Sequence, residues 1–467
     1  MHLSTKEATP LIRSWLNLCL AVLTTGGFYT QQAVQGGLVS AEPAPSPDAL
    51  SGSYAIQVEQ YDWGAGVSQV LLTLEKPAAA VSPEQFLVVE EKQSPLHSSP
   101  DIFQSRGELT ITRTPRTVTA AYLCTREGKA VNFPSQYVTL ELAVSPEEGS
   151  PLCFHPEQQH YRWAQPYQLA IELAPGETIT AGVPRVAYPA LAISRTPTAR
   201  SLSLADSFTF HTFTGQSHTL PYASFTPQHT QGQKPRVVWL HGLGEGGSDP
   251  AIPLLGNRST FFATPQFQSL TDGAYVLIPQ CPTFWMDDGT GQNTAAGKSC
   301  YTADLMALIQ SYLAAHPGVD PSRVYVGGCS NGGYMTMELL LNCPGFFAAA
   351  FPVCQAYEDD WISDQQLSAL ASTPIWFVHS EGDAVCPPHK STFPTVERLR
   401  QLGAAELHLT RLGEISSPEQ SVTYNPHYSW VPVLSGQVEE NGLSLFSWLT
   451  RQALPTLAVC PPEDAQP

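Results

Sequence analysis

A serine with a glycine two residues to either side, in Gly327-Gly-Cys-Ser-Asn-Gly-Gly333, most constrains how this chain can fold. The run Arg323-Val-Tyr-Val326 before it predicts a buried strand, and the residues after it predict a helix. A serine at so sharp a turn has a strained backbone that lifts its hydroxyl above the sheet, and its neighbours must be small because strand and helix pass close together. The G-x-S-x-G pattern in this setting indicates that Ser330 is a nucleophile, although a glycine-rich turn can also be purely structural.

Length and composition indicate a globular protein of more than one domain. The 467 residues suggest two or three domains, and an apolar fraction of 42% is ample for buried cores. The formal net charge of -18 argues against nucleic acid or an anionic membrane as partner. The 41 prolines are typical of a β-rich chain with many turns.

Residues 1–41 predict a signal peptide or an N-terminal anchor. Lys6 and Arg13 precede an apolar run at residues 15–23, and residues 39–41 are small enough for a signal peptidase. The run is too short for a comfortable transmembrane helix, which needs about 20 residues. Its distance from Ala41 leaves a retained anchor as the alternative. We therefore expect a secreted or periplasmic protein.

The ten cysteines would be able to form disulfides in an exported chain. Cys124 with Cys153, and Cys281 with Cys300, are plausible pairs by proximity alone, and reduced buried cysteines are an equally good interpretation. The sequence has no C-x-x-C motif and no Cys/His cluster with zinc spacing. We therefore expect no structural metal and no cofactor.

The pattern of apolar residues divides the chain into two domains. Residues 42–50 predict a proline-rich linker, and residues 51–175 carry short period-two runs with no convincing helical stretch, which predicts an antiparallel β-sandwich. Residues 176–202 predict a second linker. Across residues 203–467, two antiparallel opening strands are followed by strands that alternate with helices, which predicts an α/β fold with a mostly parallel sheet covered on both faces.

A serine hydroxyl needs a base to activate it, and the base needs an acid to orient it. The acid should follow the strand after the serine turn, where Asp383 is our choice and Glu381 the alternative. The base should lie in a loop after the last strand, which favours His427. His389 lies close to the acid loop and His408 sits within a strand, so both are weaker candidates.

The oxyanion that forms during acyl transfer needs preorganised hydrogen-bond donors. The backbone N–H of Asn331 is one candidate because it follows the nucleophile and opens the helix. The glycine-rich loop at residues 240–247 is suited to supply the other, from Leu243 or the neighbouring Gly244. A phosphate-binding interpretation of this loop is poor because no Lys-Ser/Thr pair follows.

Four segments resemble a known group of enzymes: Trp239-Leu-His-Gly-Leu-Gly-Glu-Gly-Gly247, Pro279-Gln-Cys-Pro282, Gly328-Cys-Ser-Asn-Gly-Gly333 and His427-Tyr-Ser-Trp430. They are similar to exported serine esterases with an N-terminal immunoglobulin-like domain. They also resemble the prolyl-oligopeptidase-like and polyhydroxybutyrate-depolymerase-like predicted peptidases. Residues 61–68 are similar to the first strands of that immunoglobulin-like domain.

The resemblance implies an α/β-hydrolase domain at residues 203–467, an immunoglobulin-like sandwich before it, and the triad Ser330, Asp383 and His427. Two positions depart from the family pattern. Pro426 stands where relatives often have glycine before the histidine, and Ser380 replaces the usual glycine before the acid loop. These departures affect loop geometry and remove no catalytic atom.

The leading hypothesis is a serine-dependent carboxylic ester hydrolase, and the resemblance suggests acyl or feruloyl esters linked to polysaccharide as substrates. Trp285, Met286 and Trp430 are candidates for pocket walls, with ordinary packing as the alternative. A serine peptidase is less favoured because a small sandwich replaces the large propeller of prolyl oligopeptidases. An inactive exported binding protein is the third hypothesis. The sandwich could bind carbohydrate, form oligomer contacts or shade the active-site mouth.

Overall fold

The computed structural model describes residues 48–99, 104–229, 231–417 and 422–455. The predicted export signal and most of the first predicted linker lie outside the described residues. All of the described chain belongs to one compact unit that begins at Ser46. Within the described ranges, none of the helices has both the length and the apolar character needed to cross a membrane.

Short apolar-polar alternation builds a β-sandwich from the first part of the chain. In β1, the buried residues Tyr54, Ile56 and Val58 alternate with partly exposed ones, as a strand with one face on a core requires. The strands are β1 (Ala49–Tyr61), β2 (Gly64–Ala78), β3 (Phe86–His97), β4 (Arg106–Arg116), β5 (Val118–Cys124), β6 (Ser135–Leu142), β7 (Leu152–His155), β8 (His160–Trp163), β9 (Tyr167–Leu173), β10 (Ile179–Ala181), β11 (Val186–Tyr188), β12 (Ala190–Ile193) and β13 (Arg200–Ser201).

The sandwich strands form two main sheets. One has the order β11-β10-β2-β1-β12, with β6 pairing to β2 and β5. The other has the order β4-β3-β9, and β7 with β8 forms a separate hairpin. Residues 176–202, predicted as a linker, contain β10 to β13, and both β12 and β13 pair in parallel with β1. These strands have only two to four residues, so their alternation is too short to recognise without their partners.

The second part of the chain forms an eight-stranded sheet in the order β14-β15-β17-β16-β18-β19-β20-β21. The pairs β14–β15 and β15–β17 are antiparallel and the remaining pairs are parallel. The strands are β14 (Thr209–Thr214), β15 (Thr219–Phe225), β16 (Lys234–Leu240), β17 (Tyr275–Pro279), β18 (Val319–Cys329), β19 (Ala349–Val353), β20 (Ile375–Ser380) and β21 (Leu407–Leu412). Every residue of β16, β17, β19 and β20 is buried, so the predicted mostly parallel, two-sided sheet is confirmed.

Helices and two small hairpins complete this domain. The helices are α1 (Ile252–Gly256), α2 (Pro265–Gln268), α3 (Thr302–Ala315), α4 (Asn331–Asn342), α5 (Asp364–Leu370), α6 (Thr392–Gln401), α7 (Trp430–Leu434) and α8 (Leu445–Leu449). The hairpin strands are β22 (Ile415–Ser416), β23 (Thr423–Tyr424), β24 (Glu439–Glu440) and β25 (Leu443–Ser444). One-turn 3-10 helices lie at Pro83–Gln85, Ser203–Ser207, Leu243–Glu245, Ser259–Ala263 and Asp359–Trp361.

The sandwich and the parallel sheet share one apolar core. The buried side chains of Tyr54 and Leu169 from the sandwich belong to the same continuous cluster as Trp239 and Phe351 from the sheet. Alternate residues of β16 point the other way, into a second cluster formed with α3 and α4. Helices therefore cover both faces of the sheet, α3 and α4 on one and α1, α2 and α8 on the other, where the core continues into the sandwich.

The cysteine pairs suggested by sequence proximity are wrong. Cys124, Cys153, Cys281 and Cys300 are all free thiols. Cys124 lies at the end of β5, where its sulfur accepts a hydrogen bond from a threonine hydroxyl of β6, and Cys153 lies on the separate β7–β8 hairpin. Closeness in sequence does not bring two Cβ atoms to the spacing that a disulfide requires. Cys343 is disulfide-bonded.

Candidate active site

The strand-to-helix turn at Ser330 has the strained geometry expected from its sequence. Ser330 lies between β18 and α4 with φ 56° and ψ -116°, a region that residues other than glycine rarely adopt. A Cβ atom on Gly332 would lie 2.0 Å from the carbonyl oxygen of Leu240, and one on Gly328 would lie 2.5 Å from the carbonyl oxygen of Gly332. Both positions must therefore be glycine for β18, β16 and α4 to approach so closely.

The structure brings Ser330, His427 and Asp383 together from three separate loops. Asp383 follows β20, and His427 lies in the turn between β23 and α7. The Ser330 hydroxyl and His427 Nε2 are 2.9 Å apart, and His427 Nδ1 lies 2.8 Å from Asp383 Oδ2. The imidazole therefore donates through Nδ1 to the carboxylate and accepts the serine proton at Nε2, which is the arrangement of a nucleophile, a base and an orienting acid.

The alternative acids and bases lie elsewhere. Glu381 is exposed and its carboxylate forms an ion pair with Arg411 at 3.6 Å. His389 is exposed, and His408 on β21 contacts Glu440 at 3.0 Å. The structure thus pairs Glu381 and His408 with other residues, whereas Asp383 and His427 are hydrogen-bonded to each other.

Asp383 is held by more partners than the sequence analysis identified. Its Oδ1 accepts hydrogen bonds from the backbone N–H groups of Val385 and Cys386 at 2.8 and 2.9 Å. Its Oδ2 also lies 3.2 Å from Nε2 of the buried His379. Because that nitrogen faces two acceptors, Asp383 and the Cys386 carbonyl, it must carry the proton and donate. Burial alone would raise the pKa of Asp383, but the hydrogen bonds from His379 and His427 hold it well below its usual range.

The candidate oxyanion loop is fixed by a neutral histidine. His241 is fully buried, and burial lowers its pKa to about 3, so the ring is neutral. Its Nδ1 donates to the Gly242 carbonyl oxygen at 2.6 Å, and its Nε2 accepts from the Cys281 N–H at 2.9 Å. These two bonds anchor the Leu243–Glu245 turn beside the serine.

Three amides at this position are available to a ligand. Among the described residues, no group accepts a hydrogen bond from the N–H groups of Leu243, Gly244 or Asn331. Asn331 is the first residue of α4, and its side-chain oxygen accepts from the Met286 N–H at 3.2 Å. That bond ties the start of the helix to the loop after β17.

The three candidate pocket residues have different surroundings. Trp285 is fully buried and packs against His241 and Tyr301, with ring centroids 5.2 and 6.2 Å away, so it has the packing role and no surface for a ligand. Met286 and Trp430 are half-buried. The rings of Trp430 and His427 pack edge to face, with their centroids 5.6 Å apart, so Trp430 lies beside the catalytic base.

A buried acid, Glu245, lies behind the oxyanion loop and was not identified from the sequence. Its Oε1 is 3.5 Å from the Asn257 amide nitrogen, and its Oε2 is buried without a partner. Burial raises the pKa of Glu245 to about 7. A lone glutamate in a glycine-rich loop carries no sequence signal that distinguishes it from a solvated one.

The sandwich contacts the chain next to two of the loops that form the site. Asp62, at the tip of the β1–β2 hairpin, accepts a hydrogen bond from the Tyr424 hydroxyl at 2.9 Å, just ahead of the His427 loop. The Trp163 indole at the end of β8 donates to Asp249 Oδ2 at 2.8 Å, just beyond the oxyanion loop. The site is therefore supported by residues of both domains.

Comparison with known proteins agrees with this architecture. Residues 53–180 match the esterase Ig-like N-terminal domain, and residues 285–365 match the prolyl oligopeptidase family. A probable carboxylesterase of Oryza sativa subsp. japonica is 31% identical over 124 residues, which cover 23% of this chain and 43% of that protein. The chain thus spans less than half the length of that curated relative.

A solved structure, the crystal structure of a thermostable esterase, is similar over most of the chain. The TM-score is 0.67 at 24% identity, and the match covers 87% of this chain and 99% of the other. The order of domains is therefore an Ig-like domain followed by an α/β-hydrolase domain, as the sequence resemblance implied.

Proposed function

We propose that this chain, in which an esterase Ig-like domain precedes an α/β-hydrolase domain of the prolyl oligopeptidase family, is a serine carboxylic ester hydrolase. The observation that carries the proposal is the continuous hydrogen-bonded path from Ser330 through His427 to Asp383, with distances of 2.9 and 2.8 Å. Such a path makes a serine hydroxyl nucleophilic near neutral pH.

Each residue has a defined step in the reaction. Ser330 Oγ attacks the ester carbonyl while His427 Nε2 takes its proton, and the amides of Asn331 and Leu243 or Gly244 stabilise the oxyanion. His427 then protonates the departing alcohol, which leaves an acyl group on Ser330. Water, deprotonated by the same imidazole, hydrolyses the acyl-enzyme. Asp383 holds the Nδ1–H tautomer throughout and stabilises the imidazolium that forms.

Esters are the preferred substrate class for two reasons. The matching relative is named a probable carboxylesterase and the similar structure a thermostable esterase. In addition, the domain before the hydrolase domain is a sandwich that shares the core of the sheet, whereas prolyl oligopeptidases have a large propeller that restricts access to the active site. Acyl or feruloyl groups on polysaccharide remain the favoured natural esters, and a peptidase is the second candidate because of the family match at residues 285–365.

Export is part of the proposal. The basic residues and apolar run of the first 41 residues support a secreted or periplasmic enzyme that meets its substrate outside the cytoplasm. An N-terminal sequencing experiment on the protein purified from culture medium or periplasm checks this. A chain that retains Met1 and stays in the cytoplasm would contradict it.

The activity test compares short-chain aryl esters, acetyl and feruloyl sugars, and prolyl peptides. We expect ester cleavage that Ser330→Ala abolishes. His427→Ala should lower kcat by about 10³-fold or more. The rejected candidates provide matched controls, since His408→Ala and Glu381→Gln should leave the activity near that of the unmodified chain. Peptide cleavage without ester cleavage would overturn the substrate class, and activity that survives Ser330→Ala would overturn the mechanism.

A further inference from the structure

A free cysteine lies against the acid and the base of the site. The Sγ atom of Cys354, a carboxylate oxygen of Asp383 and a ring nitrogen of His427 all lie within 4.8 Å of one another. Cys354 directly follows β19, at the sheet edge where the Ser330 N–H donates to the Val353 carbonyl oxygen at 3.0 Å. The proposed reaction uses the acid and the base but has no role for this thiol.

We propose that Cys354, Asp383 and His427 form an inhibitory binding site for Zn²⁺ or a similar borderline-soft divalent cation. Thiolate sulfur, imidazole nitrogen and carboxylate oxygen are the three donor types that zinc prefers. Bond lengths of about 2.0–2.3 Å place the donors of a tetrahedral site roughly 3.3–3.8 Å apart. The 2.8 Å between His427 Nδ1 and Asp383 Oδ2 must therefore lengthen slightly, and donors that now lie up to 4.8 Å apart must approach by about 1 Å or less. The three residues are far apart in the sequence, which explains why no zinc spacing is visible there.

Charge balance favours a divalent ion at this buried position. One carboxylate and one thiolate together neutralise a 2+ charge, so the occupied site places no net charge in the protein interior. Binding forms the Zn–S bond and releases the thiol proton of Cys354 to solvent. The other Asp383 oxygen keeps its two backbone hydrogen bonds, so the carboxylate does not have to leave its loop.

The ion would inhibit the enzyme by changing the tautomer of His427. The ring nitrogen that faces Asp383 is Nδ1, and a metal on that atom needs its lone pair, so the ring proton moves to Nε2. Nε2 then donates and can no longer accept the proton of Ser330, which leaves the nucleophile without a base. This effect on activity rests on the proposed function, whereas binding of the ion does not. Because Cys354 is fully buried and His427 is 1% exposed, inhibition should develop slowly.

A matched pair of cysteine variants tests the site. Cys153 is also a free buried thiol, but it lies on the β7–β8 hairpin and outside the three-residue cluster. With ZnCl₂ as the added ion and an aryl ester as substrate, the full chain should lose activity over time and recover it on addition of EDTA. The concentration for half-inhibition should rise at least tenfold in Cys354→Ala and Cys354→Ser and stay the same in Cys153→Ala.

Cobalt absorption provides a readout that does not depend on activity. Co²⁺ added to the Ser330→Ala chain should produce a thiolate-to-cobalt charge-transfer band, and the band should disappear when Cys354→Ser is combined with it. A chain without esterase activity that still shows this Cys354-dependent band would overturn the proposed function and leave the site intact. Equal zinc inhibition of Cys354→Ala and the unmodified chain, or absence of any zinc inhibition of an active enzyme, would overturn the site.

Discussion

Glu245 should make the stability of this protein fall as the pH rises. The side chain is buried behind the oxyanion loop, and its pKa rises from an ordinary value of 4.5 to about 7 because burial disfavours the charged form. The native protein therefore keeps a proton that the unfolded chain releases. The pKa of Glu245 thus differs by about 2.5 between the native and the unfolded protein, which corresponds to about 3 kcal/mol of unfolding free energy.

The sign follows from proton binding in the two states. Below pH 4.5 the carboxyl group is protonated in both, and its contribution to stability is fully present. As the pH rises towards 7, the unfolded chain binds fewer protons than the native one, so the free energy of unfolding falls. Glu245→Gln keeps the shape of the side chain but has no proton to lose. Between pH 5 and pH 8 the unmodified chain should therefore lose about 2.5 kcal/mol of unfolding free energy through Glu245, and the variant should not show this loss.

Urea unfolding at several pH values between 5 and 8 measures this difference. Burial also raises the pKa of Glu338 to about 7, so the unmodified chain should show the sum of two contributions. Glu338→Gln is the matched variant, and each single substitution should remove its own part of the pH dependence while the pair removes both. The reasoning is refuted if Glu245→Gln retains the pH dependence of the unmodified chain.

Two further substitutions test the supports of the site. Gly332→Ala should lower the free energy of unfolding by about 3 kcal/mol or more, because its Cβ would lie 2.0 Å from the Leu240 carbonyl oxygen. Gly413→Ala, where an added Cβ has no neighbour within 4 Å, is its control in the same urea experiment. Tyr424→Phe should cost about 1.5–3 kcal/mol and lower kcat, since it removes the 2.9 Å hydrogen bond to Asp62. A double-mutant cycle with Asp62→Asn should show coupling, and purely additive effects would count against the contact.

The sequence predicted those catalytic residues that lie in loops after strands. In an α/β fold the carboxyl ends of parallel strands meet at one edge of the sheet, so chain order alone selected Ser330, Asp383 and His427 as neighbours. The glycines around Ser330 further constrained the position of the nucleophile, because they indicate that backbone atoms of strand and helix lie close together there. The alternation of apolar residues was also long enough to predict both domains.

The remaining features depend on contacts between distant parts of the chain. His379 and Cys354 lie at strand ends as well, but no spacing distinguishes them from other buried residues, and only the fold places them against Asp383. Strands β10 to β13 are recognisable only through their pairing with longer strands. The full burial of Trp285 likewise follows from the packing of His241 beneath its loop.

The contacts between the domains bear on why an Ig-like sandwich precedes this hydrolase. The His427 loop and the segment after the oxyanion loop have no long ladder of backbone hydrogen bonds, so their positions depend on side-chain contacts. Asp62 and Trp163 of the sandwich supply one such contact to each, and the apolar core continues from the sandwich into the sheet. A sandwich that only bound carbohydrate or shaded the mouth would require neither contact. These contacts therefore tie the sandwich to the chain on either side of the site, next to the His427 turn and next to the oxyanion loop.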